Sequence, residues 1–433
     1  MGENTCRSFH GQTVPSIQNS KFIIQNCMST IALLGTMDTK GVEHGFVAAQ
    51  IRARGHRTLV IDLGTDGPPQ IEPDISREAV AALAGVDLAA LVARHDRGEC
   101  VAAMAGAAAV VLAKLQAEGK IDGVVSLGGG GGTAIATAGM RALPLGFPKL
   151  MVSTLASGNT AQYVGVKDIV MMPSIVDVAG LNRISRAVLT RAAGAICGMV
   201  ESAEASAKTG GDDKPVIVAS MFGNTTDCVQ KAKAILEGAD YEVLVFHATG
   251  IGGKTMESLI ESGLVSGVLD VTTTEWADEL CGGFLGAGPT RMEAAARGGV
   301  PAVIAPGCLD MVNFHAPESV PAKFAGRTFY KHNPQVTLMR TNAEECAQLG
   351  KILAEKANLS TGPVTVLLPL RAISVISAPG QPFHDAAADA ALFAAIRAHL
   401  RKDIPLVELD CAINDAAFAE ACAQALLGQL AVR

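Results

Sequence analysis

Strand-length apolar runs alternate with helix-length stretches along this chain, and the alternation occurs twice. Ile31-Ala-Leu-Leu-Gly-Thr-Met-Asp-Thr-Lys40 leads through a helical stretch to Arg57-Thr-Leu-Val-Ile-Asp62. Val216-Ile-Val-Ala-Ser-Met-Phe-Gly-Asn-Thr225 leads through another to Glu242-Val-Leu-Val-Phe-His247. The two segments align without a gap, Ile31 on Val216 and Asp62 on His247. Third runs (Gly123 to Leu127, Gly267 to Val271) and fourth runs (Pro148 to Ser153, Pro301 to Ala305) follow in the same order. Identities are few, so the repeat speaks for shared architecture. Continuous apolar strands separated by helices are those of parallel sheets covered on both faces. The expected fold is therefore α/β, with two Rossmann-like open parallel-sheet domains and a ligand cleft between them.

Gly, Asp and Pro cluster at Lys208-Thr-Gly-Gly-Asp-Asp-Lys-Pro215, which marks the boundary. The expected domains are 29–207 and 208–433. Residues 1–28 are polar, lack a long apolar core and read as a disordered leader, with the functional chain starting at Met28.

Composition narrows the function. A net charge of −7 without any Lys/Arg-rich run argues against nucleic acid and anionic membrane surfaces as partners. The Ala-rich uncharged stretch Cys100 to Ala113 is too short to span a bilayer. The 10 cysteines are scattered with no CxxC pair, so they read as small buried hydrophobes in a reducing, cytoplasmic setting.

The most specific local feature is the run Gly128-Gly129-Gly130-Gly131-Gly132, which follows the apolar Val124-Val125-Ser126-Leu127 and precedes Thr133-Ala-Ile-Ala-Thr-Ala138. A bare loop between strand and helix can turn its N–H groups inward and add them to the helix dipole, which makes an anion site. A flexible connector is the plainer alternative. Phosphate binding is the adopted reading, because a connector rarely needs so many glycines.

The other strand-end loops gather hydroxyls, amides and glycines: Gly35 to Gly41, Ser153 to Thr160, Met221 to Asp227, His247 to Thr255 and Thr272 to Glu275. Ser, Thr, Asn and Asp also cap helices, so each loop singly has that simpler explanation. As a set facing one cleft they suit an oxygen-rich, phosphate-bearing ligand. Ala248-Thr-Gly-Ile-Gly-Gly-Lys254-Thr255 fits a relaxed phosphate-loop pattern, yet it follows the second strand of its half, where such loops usually follow a first. Glu275 and Asp278 lie one turn apart at a helix start, placed for a metal or for the helix dipole. His315 and His332 stand alone in His-Ala-Pro and His-Asn-Pro turns, and no nucleophile–histidine–acid set can be located.

Taken together, Leu34-Gly-Thr-Met-Asp-Thr-Lys-Gly41, Ser126 to Thr133, Met221 to Thr226 and Thr272-Thr-Thr-Glu-Trp-Ala-Asp278 resemble the family named after the tomato mosaic virus resistance protein. So do Ala287 to Ala294, Leu309 to Phe314 and His332 to Arg340. The resemblance runs from about Ser29 onward. It implies an ATP-binding region of two Rossmann-like subdomains that self-associates as a homodimer or higher homo-oligomer. The matching loops are Gly35, Thr36, Asp38, Thr39, Lys40 and Gly128 to Thr133 for the phosphates, with Ser157, Gly158 and Asn159 closing the pocket. Leu370-Arg-Ala-Ile-Ser374 has Ala372 where family members are expected to have Gly.

The resulting expectation is an ATP-binding protein in which Lys40 supplies positive charge and Asp38 orients Mg2+. Across the cleft, Asn224, Thr225, Thr226, Thr272, Thr273, Thr274, Glu275 and Asp278 would receive a second, acidic or hydroxylated substrate of a small-molecule kinase or ligase. The alternatives are a nucleotide-responsive binding module for a protein partner, and an enzyme acting on another phosphorylated metabolite at the same loop.

Overall fold

The computed structural model describes residues 28–208 and 213–431. The expected leader, apart from Met28, and the glycines of the linker lie outside the described residues.

The first half runs β1 (Thr30–Gly35), α1 (Met37–Arg52), β2 (Arg57–Asp62), α2 (Arg77–Leu83), α3 (Leu88–Ala93), α4 (Arg97–Ala117), β3 (Gly123–Gly128) and α5 (Gly130–Arg141). It closes with β4 (Lys149–Ser153), α6 (Ala161–Val164), β5 (Val170–Pro173) and the long α7 (Arg183–Lys208). Its five strands are all parallel, in the order β2-β1-β3-β4-β5.

The second half runs β6 (Val216–Met221), α8 (Thr226–Gly238), β7 (Glu242–His247), α9 (Ile251–Glu261), β8 (Gly267–Thr272), α10 (Glu275–Cys281) and α11 (Glu293–Gly298). After β9 (Ala302–Gly307) come β10 (Met311–Phe314), β11 (Phe329–Asn333), β12 (Val336–Arg340) and α12 (Ala343–Asn358). The half ends with β13 (Val364–Pro369), α13 (Ala386–His399), β14 (Leu406–Leu409) and α14 (Ala416–Leu430). Six strands form a parallel sheet ordered β14-β13-β9-β8-β6-β7.

Period two in the strands builds the cores. In β1, Ile31 and Leu33 join the cluster under α1 and α7, while Ala32 and Leu34 join the cluster under α2, α4 and α5. The second sheet is covered on both faces in the same way. Aligned side chains of Ala, Val, Leu and Ile fill these layers with few aromatics, as the composition requires.

The repeat is real in three dimensions but shifted by one residue in its first strand. Ile31 pairs with Gly123 and Ile217 with Gly267, so Ile31 corresponds to Ile217 and not to Val216. The outer strands keep the sequence alignment, Thr58 beside Ile31 and Val243 beside Ile217. The connection between first and second strands is therefore one residue shorter in the second half.

Two features depart from the sequence reading. β10, β12 and β11 make a small antiparallel sheet, and His332 lies within β11 rather than in the turn that follows it. Among the described residues α4 is long and apolar enough, by length and composition, to cross a membrane. It packs against α2 and α5.

Candidate functional site

Strand order reverses in the first sheet between β1 and β3, since β1 leads outward to β2 and the chain then crosses back. A crevice forms at the carboxyl ends of the strands at such a point, because the two following connections leave on opposite faces. A cavity of about 570 Å3 occupies it. Thr36, Asp38, Thr39 and Lys40 line it from the β1 side, and Gly128, Gly129, Gly130, Gly131 and Gly132 from the β3 side.

The glycine run is the first turn of α5, not a loop. Gly129 is the N-cap, with φ −86° and ψ −157°, and Gly130 begins the helix. Thr133 N–H donates to Gly129 O at 2.8 Å. The N–H groups of Gly130, Gly131 and Gly132 precede the helical ladder and have no i−4 carbonyl. None of the five glycines has a positive φ. A Cβ on Gly129, Gly130, Gly131 or Gly132 would meet its nearest neighbour at 3.7 Å or more, ordinary van der Waals contact. Only Gly128 is tight, with the Cα of Gly132 3.1 Å from its would-be Cβ. Neither backbone conformation nor packing calls for glycine at 129–132. All four line the cavity.

The N-terminus of α1, on the other side of the crevice, is already occupied. Asp62, at the end of β2, accepts from Met37 N–H at 2.9 Å and Gly64 N–H at 2.8 Å, and its other oxygen takes Arg77 Nε at 2.6 Å. The N–H groups of Thr39 and Lys40 return to Thr36 O, and the hydroxyls of Thr36 and Thr39 meet at 2.9 Å. This loop therefore offers side chains to the cavity more than backbone donors. Lys40 sits at a kink in α1 (φ −127°, ψ 17°), where its carbonyl turns to His44 Nδ1 at 2.8 Å. Burial holds His44 below the usual histidine range, so the ring is neutral and donates. Asp38 Oδ2 accepts from Asp66 N–H at 2.9 Å and lies 3.5 Å from Arg77 Nη1. Its Oδ1 is buried without a hydrogen-bond partner, and the exposed carboxylates of Asp66, Asp96 and Asp177 line the same cavity. Among the described residues no group of three His, Cys, Asp or Glu could hold a metal, so any divalent ion would rest on Asp38, water and ligand oxygens.

Family models for the N-terminal and C-terminal domains of the uncharacterised protein family UPF0261 match residues 29–205 and 214–430. The chain belongs to the UPF0261 family. UPF0261 proteins of Rhizobium meliloti and Clostridium tetani are 50% and 47% identical, each alignment covering 92% of this chain and 98% of the relative. The ToMV resistance protein Tm-1(GCR237) of Solanum lycopersicum is 40% identical over 76% of this chain and 44% of its own length. A UDP-N-acetylglucosamine 2-epimerase from Rickettsia bellii covers 64% of this chain and 79% of its own at 10% identity and a TM-score of 0.23, too low to carry an argument.

Several expected site residues of this UPF0261 chain lie elsewhere. Gly35 is buried under the His44 ring, which leaves no room for a Cβ. Thr133 is 0% exposed and its hydroxyl meets Ser153 Oγ at 2.7 Å, behind the helix start. Ser157 lines a neighbouring hollow. Gly158 donates to Leu155 O, and Asn159 Oδ1 accepts from Ala161 N–H at the start of α6.

The second half departs further. At its own switch point, between β6 and β8, side chains close the crevice: Thr225 Oγ1 and Thr272 Oγ1 meet at 2.7 Å, and Thr273 Oγ1 donates to Ala305 O. Thr274 is buried. Thr226 bonds back to Phe222 O and Gly223 O, and Asn224 uses its carbonyl for Asn414 Nδ2 and Val375 N–H. Asp278 is held by Asn313, and burial raises its carboxyl to about 7. Thr225, Thr272, Thr273, Thr274, Glu275 and Asp278 are thus buried in the domain, while Asn224 and Thr226 are half-buried.

The phosphate-loop-like stretch is filled as well. Gly250 N–H and Gly253 N–H donate to Glu275 Oε1 at 2.7 and 3.1 Å. The other oxygen of Glu275 takes Arg291 Nε at 2.6 Å, and the same fully buried guanidinium makes a two-pronged pair with Asp270 at 2.6 and 2.7 Å. Next to Glu275, the ring of Trp276 is buried with Lys356 Nζ 5.0 Å from its centroid.

Sequence reasoning missed the wall contributed by Thr65 and Asp66 after β2, by His95, Asp96 and Arg97 at the start of α4, and by Asp177 after β5. A signal was present for one of these, since Asp96 precedes Glu99 by three and opens an apolar run, an N-cap pattern.

Proposed function

We propose that the protein binds ATP in the β1/β3 crevice of its first half. The observation that carries this is the run Gly129 to Gly132. Glycine is acceptable at the N-cap position of Gly129, but Gly130 to Gly132 open the helix, where alanine is the better helix former. Here the backbone and the packing would accept alanine, and all four glycines line the cavity. A phosphate group can then approach the free N–H groups of α5 and its dipole directly. Lys40 and Arg97 add positive charge to the same cavity, while Asp38 Oδ1 is placed for a magnesium ion that would neutralise phosphate oxygens. A cavity of this size suits a nucleotide-sized ligand. All lining residues belong to the first half, so this reading needs no contribution from the second.

Titration calorimetry with magnesium–ATP and with ADP tests the proposal. Binding that weakens when the γ-phosphate is removed, and that is lost in Gly130→Val, supports it. Absence of heat and of thermal stabilisation with either nucleotide overturns it.

A further inference from the structure

A second hollow, about 320 Å3, opens beside the first. It is lined by the loops after β4 and β5, and Asp177 belongs to both cavities. The start of α5 forms the partition: the would-be Cβ of Gly129 lies 3.7 Å from Thr154 Oγ1, and that of Gly130 4.0 Å from Leu155 Cδ1. A phosphoryl group at this helix start would thus be within reach of a molecule in the neighbouring hollow.

The lining decides what that molecule can be. Thr154 and Ser157 present exposed hydroxyls, Ser174 turns its own hydroxyl to Val176 O, and Asp177 is an exposed carboxylate. Among the described residues no Lys, Arg or His lines the hollow. A carboxylic acid there would face Asp177 with no counter-charge. Ile175 stands at φ 67° and is 72% exposed, an unfavourable conformation for a β-branched residue on a loop with nothing packed over it.

We propose that the hollow between Thr154, Ser157 and Asp177 holds the acceptor of a phosphoryl transfer, and that this acceptor is a neutral polyhydroxylated small molecule. The proposal rests on the nucleotide reading above. An acceptor hydroxyl oxygen attacks the γ-phosphorus, forming an O–P bond as the bond from phosphorus to the β,γ-bridging oxygen breaks. ADP leaves with that electron pair. The hydroxyl proton passes to the Asp177 carboxylate and from there to water. No oxidant or reductant is consumed.

The test measures ADP release by the full chain with magnesium–ATP and one of four polyols (glycerol, D-ribose, D-glucose, myo-inositol) or one of two acids (glycerate, gluconate). At least one polyol is expected to raise the rate tenfold or more, and neither acid. Ser157→Phe should remove that stimulation while magnesium–ATP affinity stays within about twofold. Asp177→Asn should lower kcat by about 100-fold, the scale of a lost general base. Nucleotide binding without stimulation by any polyol overturns the acceptor hollow and leaves the nucleotide site standing. Stimulation by an acid, or stimulation that survives Ser157→Phe, also overturns it. Failure of magnesium–ATP to bind at all sinks both.

Discussion

Gly253 makes room for Glu275. A side chain at position 253 would overlap the Glu275 carboxylate, which sits on the N–H groups of Gly250 and Gly253. The second half thus carries its own anion at the helix start where a phosphate-loop pattern suggested a ligand. Gly253→Ala should displace Glu275 from those donors and from Arg291. Breaking a buried ion pair of this kind costs about 3–5 kcal/mol. Denaturant unfolding should show that loss, while magnesium–ATP affinity of the folded protein remains unchanged.

Gly130 presents the opposite case. Gly130→Ala adds a Cβ where the fold has space, in a helical turn with ordinary φ. Stability should rise by about 0.5–1 kcal/mol. Magnesium–ATP affinity should fall at least tenfold, because the methyl group occupies the phosphate approach. Calorimetry and thermal unfolding on one sample separate the two effects. A stable variant with unchanged affinity would place the phosphates elsewhere.

Lys40→Met retains the length of the side chain and removes its charge. If Lys40 pairs with a phosphate oxygen, affinity for ATP should fall by about 1.5–3 kcal/mol, the range of a charge-assisted hydrogen bond, and more than affinity for adenosine. Titrations of the two ligands give the difference.

Asp278 sets a pH dependence. Burial raises its folded-state carboxyl from 3.8 to about 7. Between these values the folded protein holds a proton that the unfolded chain has released, so stability declines as pH rises from about 4 to about 7 and levels off above. Asp310, raised by burial to about 6, adds a decline over the lower part of that window. Asp278→Asn should flatten the slope by an amount on the order of 2–4 kcal/mol across the window, read from urea midpoints at pH 5 and 7.5.

Much of the architecture was legible because parallel strands buried on both faces leave continuous apolar runs, as at Thr30–Gly35 and Gly123–Gly128. The one-residue offset of β1 was not, since a short run of Ile, Ala and Leu aligns equally well in two registers. The antiparallel sheet was hidden by the polar, largely exposed β11. At the site, residues in short loops after β1 and β3 could be read from strand ends alone. Asp177 and Arg97 could not, because their approach depends on how distant connections fold over the crevice. The burial of Thr225, Thr272, Thr273, Thr274, Glu275 and Asp278 in the second half was not legible either. Thr, Glu and Asp at strand ends look alike whether they bind a ligand or each other, and only burial tells the two apart.

The single tryptophan of the chain, Trp276, is buried beside Glu275 in the second half, under the Lys356 ammonium. Its emission therefore reports on one half of the molecule only. A nucleotide held wholly by the first half should leave the fluorescence spectrum untouched. Any quenching or shift on adding ATP would be an optical signature of communication between the halves, obtained without a label.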